Sequence, residues 1–363
     1  MKKLLLLILL LPAISFAQNV KEPTKRYVKS FYPDLGNYFN MYVGNRMPFT
    51  DAFVEKDTNA VGKFVVDYGT DTSVVDITGF PGRSISKSAD HKYALTLKNW
   101  DIYSANARQY GNEQWLGGIQ ANGIREAGII GTDILSNRIV TFDYVNSRIY
   151  IVMFPDSYGK REHFQKYGFV AVRAEHFAPH QPGTENHDNN PMVKMVFDNG
   201  VDSAQALAFI DPGYDDKVQL NGVYDTNYTH VININQKYLS NLIAKGVQIR
   251  VDKSRFFTLD NVSAKPDTLF QCFFATKYQF NLVGENGETV IPYSTDECNV
   301  FLKVNAPGGA AAGGITTYSY PAAQFGGSIL MDCDMVGFDP FKGLVWFLSD
   351  RAANAIVRPQ NKQ

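Results

Sequence analysis

Two short segments of this chain end an apolar run on an aspartate and place a glycine two residues further on. In the first, Phe64-Val65-Val66 runs into Asp67-Tyr68-Gly69; in the second, Leu207-Ala208-Phe209-Ile210 runs into Asp211-Pro212-Gly213. The chemistry open to such a pair is that of two carboxylates. An apolar strand buries itself and delivers the acid at its end to a partly buried place. The tight turn needs the freedom of glycine, whose N–H can bond the carboxylate. A single Asp-x-Gly turn carries little information; two in comparable settings carry more.

The elements that must position these acids are legible mainly in the first half. Gly128-Ile129-Ile130-Gly131-Thr132-Asp133-Ile134-Leu135 is followed by Ile139-Val140-Thr141-Phe142-Asp143-Tyr144 and by Arg148-Ile149-Tyr150-Ile151. This resembles the closing segment of retropepsin-like aspartic proteases, in which two apolar residues and a Gly lead into a short helix, a strand ending on Asp and a returning strand. The second half echoes it less completely: Ser328-Ile329-Leu330 leads to Val336-Gly337-Phe338-Asp339 and then to Gly343-Leu344-Val345-Trp346-Phe347. Read this way, Met331 replaces the expected glycine and the short helix is missing. The resemblance covers most of residues 63–154 and only the ends of the second half.

One chain carrying both acids looks like the pepsin arrangement. The resemblance implies an all-β (mostly β) fold of two acid-protease-like lobes, with Asp67 and Asp211 as a coupled catalytic pair at the lobe interface. Gly69, Thr70, Gly213 and Gly131 would support the motifs, and no cofactor or metal is implied. The reaction would be peptide-bond hydrolysis by an activated water, with a polypeptide in the cleft. Active members of the family carry Thr or Ser between the Asp and the Gly, and its hydroxyl locks the two loops together. Here Tyr68 and Pro212 hold those places, so that lock cannot form in its usual version. Thr70 could supply a hydroxyl near Asp67, and the matching Tyr214 only from a distance. The alternative is therefore a protease-fold protein that binds a peptide or protein without cleaving it.

The rest of the chain reads as mostly β. Its apolar segments are short, β-branched or aromatic, and punctuated by Gly, Asn, Asp or Pro, as in Lys63–Val66, Tyr93–Leu97, Ala206–Ile210 and Leu344–Leu348. Two helices are expected, a short one over Asp133–Asn137 and one over Asn235–Lys245, where Tyr238, Leu239, Leu242 and Ile243 recur at helical spacing and Gly246 gives a stop. Lys2 and Lys3, the apolar run Leu4–Leu11 and Ser15-Phe16-Ala17 make residues 1–17 a secretory signal peptide, so the protein is expected to be secreted or periplasmic. The expected organisation is an N-terminal lobe over 18–155, a connection over 156–191 and a C-terminal lobe over 192–363.

Other chemistries find less support. A formal net charge of −1 offers no field to recruit nucleic acid or an anionic membrane surface, and no later segment is apolar for long enough to span a bilayer. His176 and His180 stand four apart, but Pro179 between them argues against a helix presenting both to a metal. Among 36 acidic residues, glycosidase-like pairs can be chosen at will, and only the Asp-x-Gly pair has a distinctive setting. Asp215-Asp216 reads as a solvated acidic turn, Tyr110-Gly111 as a surface turn or part of a flap, and Ala306–Gly314 as a surface loop. For an exported protein, one pair among Cys272, Cys298 and Cys333 is free to oxidise, and Cys272–Cys298 closes the shortest loop.

Overall fold

A computed structural model of the chain describes most of residues 38–350. Outside the described residues lie 1–37, 98–106, 110–119, 122–123, 153–160, 180–188, 215–217, 221–222, 226–227, 260–267, 306–313, 351–363 and isolated positions between 45 and 91. The signal segment, Tyr110-Gly111, His180, His187, Asp215-Asp216 and most of the Ala306–Gly314 stretch therefore fall outside the described residues.

The described chain is mostly β, and its two lobes meet on a shared antiparallel sheet. Six strands form that sheet in the order Tyr38–Asn40, Arg148–Val152, Ile139–Asp143, Met335–Asp339, Leu344–Leu348 and Val170–Glu175. The two central strands belong to the two hairpins expected from the sequence, and they pair with each other through Thr141 and Gly337. Each hairpin closes on its own aspartate. Asp143 accepts from the N–H of Asn146 at 2.9 Å, and Asp339 from that of Lys342 at 3.2 Å. Alternation along these strands sends side chains to two buried faces. Leu344, Trp346 and Leu348 join one cluster with Phe164, while Val345 and Phe347 join the main core. The Trp346 ring stacks on Phe164, centroids 4.7 Å apart, from the short helix Arg161–Lys166. Residues 156–191 include that helix and the strand Val170–Glu175, which pairs both with Leu344–Leu348 and with Met192–Asp198.

Within each lobe the acid stands at the end of a strand that runs parallel to a second, glycine-ended segment. Val61–Val66 pairs in parallel with Ile124–Ile130, so that Val66 lies beside Ile130 and the next residues, Asp67 and Gly131, come level. Ser203–Asp211 pairs in parallel with Ala322–Gly326, which sets Asp211 beside Gly326. An antiparallel strand flanks each glycine-ended one, Val74–Val75 in the first lobe and Val231–Ile234 in the second. A short helix follows each, Thr132–Leu135 and Gly327–Met331.

This corrects the sequence reading of the second lobe in two respects. The short helix is present, and the residue equivalent to Gly131 is Gly326 rather than Met331. Ser328-Ile329-Leu330 lies inside the helix, not in the strand before it. At Gly326 the fit is tight enough to require glycine: a β-carbon there would sit 1.6 Å from the Asp211 carbonyl oxygen.

The longer expected helix spans Gln236–Ala244, its N-terminus capped by the Asn235 side chain, which accepts from the N–H of Tyr238 at 2.9 Å. Tyr238, Leu239 and Leu242 face the core. The three cysteines are all free thiols.

Candidate active site

Asp67 and Asp211 are brought together at the junction of the lobes, within hydrogen-bonding reach of each other. The approach is reciprocal. Gly69, from the loop of Asp67, lies against Asp211, where a β-carbon would come within 2.7 Å of Oδ2; Gly213 lies against Asp67, where one would come within 2.4 Å of Cγ. Each glycine therefore does two jobs. Its missing side chain admits the opposite carboxyl, and its N–H holds the carboxyl of its own loop. Gly69 N donates to Asp67 Oδ1 at 2.5 Å, and Gly213 N to Asp211 Oδ1 at 3.1 Å.

The second oxygen of each acid is held by a side chain, and here the lobes differ. Thr70 Oγ1 donates to Asp67 Oδ2 at 2.6 Å. Asp211 Oδ2 instead accepts from Gln324 Nε2 at 2.9 Å. Tyr214, which follows Asp211 as Thr70 follows Asp67, turns its hydroxyl to Asn233, accepting from Nδ2 at 2.9 Å. Both acids are nearly closed off from solvent, at 9% and 7% relative exposure. Burial pushes the Asp211 carboxyl well above the ordinary carboxylate range, and the charge and hydrogen bond of Asp67 add to the rise. Gln324 and Lys303 pull in the opposite direction.

Gly131 sits behind the first acid loop rather than at the carboxyls. A β-carbon on it would meet the Thr70 carbonyl oxygen at 2.4 Å. Its N–H donates to Ser73 Oγ, which donates in turn to Asp133 Oδ1 at 2.6 Å, while the N–H of Thr132 reaches Thr70 O at 2.9 Å. Asp133, at the start of the short helix, thus pins the loop that carries Asp67 and Thr70.

The substituted positions have different fates. The Tyr68 ring turns away from the acids into the interlobe core, stacked on Phe338 of the second lobe at 4.3 Å between centroids and edge-on to Phe177 at 5.8 Å. Its hydroxyl is buried without a hydrogen-bond partner among the described residues, and burial, with the charge of Asp339 nearby, raises its pKa well above the ordinary tyrosine value. Packing across the lobe boundary stands here where a hydroxyl lock would otherwise hold the loops. Pro212 contributes no N–H to its turn, which closes instead through Tyr214 N to Asp211 O at 3.1 Å.

Sequence reasoning did not single out Gln324 or Lys303. Gln324 takes the place in its strand that Ile129 has in the first lobe, as the registers with Phe209 and Val65 show. The available signal was Ala322-Ala323-Gln324-Phe325-Gly326-Gly327, a glycine-ended strand whose polar middle residue hides the apolar pair expected there.

No family model matches the chain, and no curated protein matches its sequence. Among solved structures it is similar to the aspartic proteinase from Irpex lacteus, with a TM-score of 0.43 and 10% identity over 86% of this chain and 97% of that one. The described residues form a mostly-β, two-lobed fold, and the acid pair lies where the lobes join.

Proposed function

We propose that this protein is an exported aspartic-type endopeptidase that hydrolyses peptide bonds with a water activated between Asp67 and Asp211. The observation that carries the reading is the meeting of these two carboxyls, each held by the glycine N–H of its own loop and crowded by the glycine of the other. A pair in this setting shares one proton, because a second ionisation would leave two like charges in contact. With one member ionised and the other protonated, the pair can accept a proton from water and donate one toward the substrate carbonyl. Neither acid is fixed as the proton acceptor or the donor. A polypeptide in the cleft between the lobes is the substrate class that suits this chemistry. Residues 1–17 would direct export and be removed.

A second reading, a peptide- or protein-binding module without turnover, is favoured by one observation: neither lobe has a Thr or Ser at the position occupied by Tyr68 or Pro212, and the Tyr68 hydroxyl is buried in the interlobe core. Cleavage of a peptide library between acidic and neutral pH, repeated with Asp67→Asn and Asp211→Asn, decides between them. The peptidase reading requires products from the wild type and a loss of about 100-fold or more in both variants. Absence of cleavage combined with tight peptide capture would establish the binding module instead.

A further inference from the structure

The two lobes hold their acids by the same plan except at one point, where the second lobe carries a buried polar chain and the first is apolar. In the first lobe Ile129 packs with Val65, Val74, Met47 and Phe49. By register, the places of Val65, Val74 and Ile129 are taken in the second lobe by Phe209, Asn233 and Gln324. Gln324 is 7% exposed, and behind it lies Lys303, also 7% exposed, on the strand Asn299–Val304. Lys303 Nζ donates to Gln324 Oε1 at 3.3 Å, and Gln324 Nε2 donates to Asp211 Oδ2 at 2.9 Å.

This chain has a fixed direction. An ammonium group can only donate, so the carbonyl end of the amide must face Lys303, and the amide N–H2, which also only donates, is left to Asp211. Reversing the amide would set N–H2 against ammonium and carbonyl oxygen against carboxylate. Burying a lysine and a glutamine is costly unless each is bonded, and the first lobe folds with apolar residues on the same plan. Packing alone therefore gives no reason for the polar set. Its one difference from the first lobe that bears on the acids is that Asp211 has no hydroxyl three residues on that reaches it, whereas Asp67 has Thr70.

We propose that Gln324 and Lys303 are positioning residues for Asp211, with Lys303 orienting the amide of Gln324 and Gln324 holding Oδ2 as Thr70 holds that of Asp67. This rests on the peptidase reading for its purpose, though not for its test. The groups that face Asp211 with charge are Asp67 across the lobe junction and Lys303 behind the amide, whose charge also acts on Asp211 through space.

The test is a carboxyl-carbon NMR titration of the mature chain, with the two acids assigned from Asp67→Asn and Asp211→Asn. In Gln324→Met, which keeps the volume and removes the donor, the upper titration step of the pair moves up by about one pH unit, because a hydrogen bond to the ionised form is lost. Lys303→Met moves it in the same direction, has a smaller effect in the Gln324→Met background, where only the through-space charge is left to lose, and is reversed toward wild type by Lys303→Arg. An unshifted step in Gln324→Met overturns the proposal, as does a Lys303→Met shift that persists undiminished without the amide. If Lys303→Met does not fold, Gln324→Met alone decides. The titration does not require turnover. A wild type that shows the coupled step but cleaves nothing sinks the peptidase reading and leaves the relay standing; cleavage with an unshifted step in Gln324→Met sinks the relay alone.

Discussion

Replacing Gly213 by alanine is the most direct way to separate the two acids without altering either. The added methyl would stand 2.4 Å from Asp67 Cγ and 2.5 Å from its Oδ1, against roughly 3.4 Å for an ordinary contact. About 1 Å must be found. Asp67 cannot supply it freely, since Gly69 N and Thr70 Oγ1 hold its two oxygens at 2.5 and 2.6 Å and its own N–H is bonded to Ile130 O at 3.0 Å. The loop of Gly213 must retreat instead, carrying Asp211 with it. A displacement of about 1 Å in a reacting group costs roughly 100-fold in rate, and overpacking of this kind costs about 1–3 kcal/mol in stability. The assay is kcat/KM on the best library peptide beside urea unfolding. The raised titration step of the pair should also fall back toward the ordinary carboxylate range. A folded Gly213→Ala protein that cleaves within about threefold of wild type would refute the claim that this contact sets the geometry of the reaction.

Three further outcomes are expected. Tyr68→Phe keeps the stack on Phe338 and removes a hydroxyl that has no partner among the described residues, so urea unfolding should show a gain of about 1 kcal/mol, whereas Tyr68→Ala should lose about 3–5 kcal/mol. Because the folded-state pKa of Asp211 lies above its unfolded value, the native state retains a proton that the unfolded chain has released. Stability attributable to this group is full below the ordinary carboxylate pKa of about 4 and is lost as pH rises through the raised one. Asp211→Asn should therefore gain on wild type steadily over that window, and a difference independent of pH would contradict the assignment. Burial pushes the Cys272 thiol up to about 12, so it should resist alkylation at pH 8 in the native protein, and unfolding without reductant should release three reactive thiols; two missing thiols would mean a disulfide.

The first lobe was legible because its signals are local. Ile129-Ile130-Gly131 reads as an apolar strand stopped by glycine and Phe142-Asp143 as the end of a hairpin strand, and both are where the sequence puts them; the short helix expected over Asp133–Asn137 instead spans Thr132–Leu135. The second lobe keeps the same plan with a polar residue in the middle of the pattern. Gln324 interrupts the apolar pair, and Ile329-Leu330 imitates it five residues later, so reading by hydrophobicity slides into the helix. Lys303 was illegible for a similar reason: within Val300-Phe301-Leu302-Lys303-Val304 a lysine reads as a solvent-facing position, and only the pairing of Asn233 with Gln324 and of Ile234 with Leu302 turns it inward. Loop length is no guide to the cysteines: Cys272 and Cys298 close the shortest loop, and all three are free thiols. A tyrosine ring at position 68 cannot fill a threonine's place, and its use as an interlobe contact depends on Phe338, more than two hundred residues away in sequence.

The central claim is that Asp67 and Asp211 together activate a water to cut peptide bonds. It is tested most directly by digesting a peptide library in 18O-labelled water with the wild type, Asp67→Asn and Asp211→Asn, and reading the new C-termini by mass spectrometry. The account predicts labelled C-termini from the wild type and a loss of about 100-fold or more with either variant. Labelled products formed at comparable rates by either variant, or none from any protein, would contradict it.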